Sequence, residues 1–120
     1  MFLVYNPHVS NLIEVPWGLI VEGKRDATQS HALIYIDPGQ AKPPEYHAIQ
    51  TETFTHHFGL GVIIIENMAH ELRSGGEPIT VKPGEIYEII NLEAVGLLSL
   101  SVRVEPPFDP NDVHLVPSQV

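Results

Sequence analysis

Residues 39–59 read GQAKPPEYHAIQTETFTHHFG, and the way residues 51–58 alternate decides the fold. In a strand the side-chain period is two, so placing Phe54 inward also turns Glu52, His56 and Phe58 inward. Thr51, Thr53, Thr55 and His57 then face out. An acid set beside an inward phenylalanine is costly unless something pairs with it. Candidate partners precede it at Glu45 and His47, and a second spaced set follows within residues 76–91, GEPITVKPGEIYEIIN, at Gly76, Gly84, Tyr87 and Asn91. Oxygen and nitrogen donors converging from neighbouring strands suit a hard or borderline metal ion.

Working outward, 11 prolines and 9 glycines punctuate the chain. Between them lie short alternating or β-branched runs and no helical periodicity. Strands are expected over residues 12–15, 18–21, 31–36, 46–49, 51–58, 61–66, 68–72, 79–81, 86–91 and 96–104. Turn chemistry is read at Asp37-Pro-Gly, Lys42-Pro-Pro, Arg73-Ser-Gly-Gly, Lys82-Pro-Gly and Glu105-Pro-Pro. So many strands in one small domain must pack as two sheets or close on themselves, and a jelly-roll barrel does both. Residues 26–30 read as a loop, and the proline-rich tail 106–120 as a segment laid over the barrel or swapped onto a partner.

The chain has 120 residues, enough for a single domain around one core. It lacks cysteine, which excludes disulfide frameworks, thiolate metal sites and cysteine nucleophiles. Fifteen acids against six bases give a net charge of −9, with no basic cluster denser than Lys24-Arg25. Such a surface suits neither nucleic acid nor an anionic membrane. The apolar opening Met1 to Tyr5 is broken by Asn6, Pro7 and His8 before it reaches the length of a signal core or a span. The expectation is a cytoplasmic protein.

The spacings Gly39, Glu45, His47, Glu52, Gly59 and then Gly76, Lys82, Gly84, Tyr87, Asn91 resemble the two motifs of the cupin superfamily. The resemblance implies an all-β, cupin-type double-stranded β-helix as a single domain. Its core would run over about 15–116, with an N-terminal strand in 1–14 and the tail 106–120 as barrel or dimer additions. Within the superfamily the chain is similar to the cupin domain of type II mannose-6-phosphate isomerases, through Pro16-Trp17-Gly18, through Glu45, His47, Gln50 and Glu52, and through Asp109 to Leu115. It departs from the motifs at Glu45, Lys82 and Tyr87, where the pattern has a histidine, a proline and a histidine, and Gln50 stands where that isomerase domain has arginine.

The metal set implied by the resemblance is Glu45, His47, Glu52 and Tyr87, suited to Mn²⁺, Fe²⁺ or Zn²⁺. Tyr87 would join it as a phenolate only if its ordinary pKa of about 10 fell far; alternatively its hydroxyl donates to Glu45 or Glu52 with no metal present. Gln50, Phe54 and His56 are the expected pocket residues, with His56 about 13 Å along the strand from Glu52 and so outside a shared metal shell. Trp17 reads as packing.

Three functions follow. The first is a small barrel that binds a sugar-like or sugar-phosphate-like ligand, with weak or lost metal binding. The second is a divalent-metal-dependent isomerase or epimerase of a sugar or its phosphate, with Glu45 or Glu52 as catalytic base. The third is a metal-dependent oxygenase. A homodimer is expected across the Thr53, Thr55, His57 face and the Val62 to Ile65 run.

Overall fold

A computed structural model describes residues 3–6 and 9–117, with side chains from Asn11 onward. Two antiparallel sheets face each other. The larger holds β1 (Leu3–Asn6), β2 (Val9–Val15), β3 (Gly18–Arg25), β4 (Ser30–Ile36), β6 (Thr51–Phe58), β9 (Ile79–Val81) and β11 (Leu98–Glu105), ordered β1-β2-β3-β4-β11-β6-β9. The smaller holds β5 (Ala41–Tyr46), β7 (Gly61–Ile65), β8 (Met68–Leu72), β10 (Tyr87–Asn91) and β12 (His114–Leu115), ordered β12-β5-β10-β7-β8. The helical content among the described residues is the short 3₁₀ turn Pro110–Asp112. Among the described residues, no helix is long and apolar enough to cross a membrane.

The core lies between the inner faces of the sheets. Ile34, Ile36, Phe54, Leu100, Val102 and Val104 meet Ile63, Ile65, Tyr87 and Ile89 there, all buried. Alternation along β6 holds at its start: Glu52 and Phe54 are buried while Thr51 and Thr53 are half-buried and Thr55 is exposed. At its end it fails, because the register with β11 shifts between Ser99 and Leu100, so that Leu100 pairs with His56 and Ser99 with Phe58. Phe58, expected inside, therefore turns out, is 49% exposed and meets the Tyr35 ring at 6.3 Å. An extra residue in one strand of a pair reverses every side chain beyond it.

A second irregularity corrects the reading of Lys42-Pro-Pro as a turn. Residues 42–44 lie within β5, and the strand expected over 46–49 is over by Tyr46. Against β10, Glu45 pairs with Tyr87 and Lys42 with Ile89, so two residues of β5 oppose one of β10. This is a bulge at Pro43 and Pro44, residues that lack the ladder N–H and are tolerated in sheets at such places. Its consequence is that Lys42 and Glu45, three apart, both face inward and are buried.

Gly59 closes β6 at φ +93°. A Cβ there would stand 2.4 Å from the Leu97 carbonyl oxygen, so glycine is required by both conformation and space. The described part of the tail contacts β3 and β4 of the larger sheet. The Phe108 N–H donates to Ser30 Oγ at 2.8 Å, and Arg25 donates to the Phe108 carbonyl at 2.8 Å. The expected N-terminal strand is two strands, β1 and β2, which extend the larger sheet beyond β3.

Candidate functional site

Three strands bring the polar centre together. The β5 bulge turns Lys42 and Glu45 inward, His47 follows immediately after β5, Glu52 enters from β6 and Tyr87 from β10. The segment joining His47 to Glu52 is pinned by the tail. Asp112 accepts from the backbone N–H groups of Ala48 at 2.9 Å and of Ile49 and Gln50 at 3.0 Å each. Burial would raise the Asp112 pKa, but these N–H bonds prevail and hold it below the ordinary value. Gly84 adds an N–H to the His47 carbonyl at 2.7 Å.

Glu45 is the hub. Its Oε1 accepts from Lys42 Nζ at 2.5 Å, and its Oε2 lies 2.6 Å from His47 Nε2 and 3.4 Å from the Tyr87 hydroxyl. Glu52 Oε1 stands 3.1 Å from the same His47 nitrogen, within ion-pair reach yet without a hydrogen bond of its own. One N–H cannot serve two carboxylates at full strength, and the shorter contact to Glu45 takes it. His47 Nδ1 is likewise buried without a partner.

These contacts set the charges. Burial alone would lower the His47 pKa, but Glu45 and Glu52 outweigh it and lift it to about 9. Burial would raise that of Glu45, but His47 and Lys42 outweigh it and bring it down to about 2. Tyr87 is pushed well above its ordinary value, by burial first and then by the two carboxylates. It meets Glu45 as a neutral phenol donor. Its ring packs on Phe54 with centroids 5.4 Å apart and carries Lys42 Nζ 4.9 Å from its centroid.

A cavity of about 400 Å³ opens onto this centre. The larger sheet supplies Ile13, Ile20, Ile34 and Val102 as apolar wall, Trp17 adds its ring, and Phe108 and Val113 of the tail complete it. Lys42, Glu45 and Glu52 supply charge, with Asn11, Glu22, Arg25 and His31 adding further polar lining. Gln50, Phe54 and His56, the expected pocket residues, do not line it. Gln50 donates to the Asp109 carbonyl at 3.3 Å, Phe54 sits in the core against Tyr87, and His56 Nε2 lies 2.7 Å from the Gly59 carbonyl. Trp17, read as packing, does both: it touches the core and faces the cavity.

Lys42 is the residue that sequence reading passed over. Lys-Pro-Pro resembles a turn, and only the bulge aims the side chain inward. The signal available was the proline pair itself, which within a strand marks a bulge.

Donor atoms of Glu45, His47 and Glu52 lie within 4.8 Å of one another, a grouping that could hold a metal ion. The donor types agree with Mn²⁺, Fe²⁺ or Zn²⁺. The charges agree less well. Glu45 already has both oxygens engaged, one of them by an ammonium group. Metal ligation also requires a neutral imidazole, whereas the two carboxylates favour the charged one.

No family model matches the chain, and no curated protein matches it. Solved structures do. The capsular polysaccharide assembling protein CapF from Staphylococcus aureus superposes with a TM-score of 0.81 at 19% identity, covering 98% of this chain and 35% of that one. This chain therefore spans about a third of the CapF chain. Streptomyces Pac13, solved with uridine, gives 0.78 at 18% identity over 97% of this chain and 93% of that one. KdgF from Halomonas sp. gives 0.74 at 14% identity over 91% and 96%. These are cupin-fold proteins, and the chain shares their fold: an all-β cupin-type double-stranded β-helix.

Proposed function

We propose that this barrel binds a small polar ligand of the sugar or nucleoside type, with its polar groups against Lys42, Glu45 and Glu52. The observation that carries this is the cavity: about 400 Å³, walled by apolar and aromatic side chains, with charged groups gathered on Glu45. That is the usual build of a small-molecule site, where apolar walls give contact and a few fixed polar groups give orientation. Lys42 donates and Glu52 accepts, so adjacent hydroxyls find both partners. The similarity to Pac13, described as a nucleoside dehydratase and solved with uridine, supports this ligand class.

A thermal-shift panel of sugars, sugar phosphates and nucleosides on untagged protein tests it. Stabilisation by one class, reduced at least about tenfold in apparent affinity in a folded Glu52→Gln variant, is expected. Failure of every compound to shift the melting temperature would sink the reading.

A second reading, a divalent-metal-dependent isomerase or epimerase akin to the mannose-6-phosphate isomerase cupin domain, is favoured by the Glu45, His47, Glu52 cluster and by a Glu52 Oε1 that makes no hydrogen bond. It requires one equivalent of metal in native untagged protein and turnover lost in His47→Ala. Protein that purifies free of metal and stays inactive when ions are added removes it.

A further inference from the structure

Lys42 is a buried cation of the centre, and nothing in the spacing of Glu45, His47 and Glu52 requires it. Its Nζ holds Glu45 Oε1 at 2.5 Å, lies over the Tyr87 ring at 4.9 Å and stands 6.0 Å from the Trp17 ring. The side chain is 9% exposed, so water does little of the work of neutralising it or its partners. We propose that the Lys42 ammonium is a resident cation of this site, holding the Glu45 oxygen that a divalent ion would otherwise take, and that removing it creates a divalent-metal site.

The charge count supports this directly. A metal ligand histidine must be neutral, so the ligands of a bound ion would contribute two negative charges, from Glu45 and Glu52. A divalent ion cancels them. With Lys42 present the same ion leaves one surplus positive charge in a buried cluster, where like charges repel strongly. Lys42 also occupies one Glu45 oxygen, while His47 and Tyr87 take the other. Without the lysine, Oε1 is released and the three donor residues, already within 4.8 Å of one another, remain.

The lysine also faces the ligand. It lines the cavity, and one of its three N–H groups is used on Glu45. The others can donate to a ligand oxygen, as a metal ion would have polarised one. The proposal deepens the reading of weak metal binding and does not depend on which ligand the cavity takes.

The experiment is a titration of untagged protein with Zn²⁺ and with Mn²⁺, followed calorimetrically and by melting temperature. Wild type, Lys42→Gln, Lys42→Met and Lys42→Arg are compared, each with and without His47→Ala. We expect the two neutral variants to bind one equivalent at least about tenfold more tightly than wild type, to lose that binding with His47→Ala, and to gain melting temperature with metal. Lys42→Arg, which keeps the charge, should bind as weakly as wild type. Wild type that carries one tightly held equivalent, or neutral variants that bind no better than wild type, would overturn the proposal. If the neutral variants unfold, refolding them with Zn²⁺ or with chelator reads the same point. Recovery with metal alone supports the assignment; failure in both overturns it. The ligand panel is scored separately, so a barrel that binds no sugar leaves this result standing.

Discussion

Between about pH 6 and about pH 10 the barrel should lose stability through one side chain, His47. Its imidazole is 2% exposed and stands 2.6 Å from Glu45 and 3.1 Å from Glu52. Those carboxylates lift its pKa from an ordinary 6.5 to about 9 in the folded protein. A group whose folded pKa is raised contributes its full stabilisation below the unfolded pKa and loses it as pH climbs through the folded one. The contribution is therefore complete below pH 6.5 and gone above about 9. At roughly 1.4 kcal/mol per pH unit the rise corresponds to about 3–4 kcal/mol at most. For a domain of this size that is a fall of about 10 °C in melting temperature. Glu45 has the opposite sign: its pKa falls from 4.5 to about 2, so its share is present above pH 4.5 and lost as pH drops through about 2. The two shifts report one set of contacts and are not added. Stability should be flat from about pH 4.5 to 6.5 as far as this pair is concerned.

Urea melts of wild type and His47→Gln, run with chelator from about pH 5 to about pH 10, isolate the effect. Titrations elsewhere cancel in the difference, which should shrink steadily as pH rises from 6.5 to about 9. A direct check is the His47 ring titration by NMR. A midpoint near 6.5, or a wild-type-to-variant gap that does not change with pH, would refute the placement of this imidazole between two ionised carboxylates.

Two further perturbations test how the site is held. Asp112→Asn sets an amide where a carboxylate accepts three backbone N–H groups, and should cost about 1–3 kcal/mol in urea melts; an unchanged midpoint would mean the tail does not clamp the segment between His47 and Glu52. Gly59→Ala places a Cβ 2.4 Å from the Leu97 carbonyl at φ +93° and should cost about 2–3 kcal/mol or more, while a loss below about 0.5 kcal/mol would show that the end of β6 yields easily.

Much of this is legible in the amino-acid sequence. The all-β class follows from short alternating runs between prolines and glycines, and the inward Glu52 and Phe54 follow from a period of two. Glu45, His47 and Glu52 were picked out by spacing, and they do converge around one imidazole nitrogen. The pocket was read less well. Strand alternation puts Phe54 and His56 at the pocket and the motif resemblance adds Gln50, yet besides Lys42, Glu45, Glu52, Val102 and Val104 the cavity is lined by Trp17, by β2 to β4 and by the tail, segments remote in sequence.

What the residues determine by themselves is local: where strands run, which face an uninterrupted strand buries, and which glycines and prolines break it. What the tertiary structure alone decides is register. The bulge at Pro43 and Pro44 exists only against β10, and it turns Lys42 inward beside Glu45; the shift opposite Ser99 exists only against β11, and it turns Phe58 out. A one-residue offset between strands reverses a side chain's face while changing nothing in its own sequence, because the pairing partner lies tens of residues away. The lysine that sets an ammonium group against Glu45 is placed by that offset.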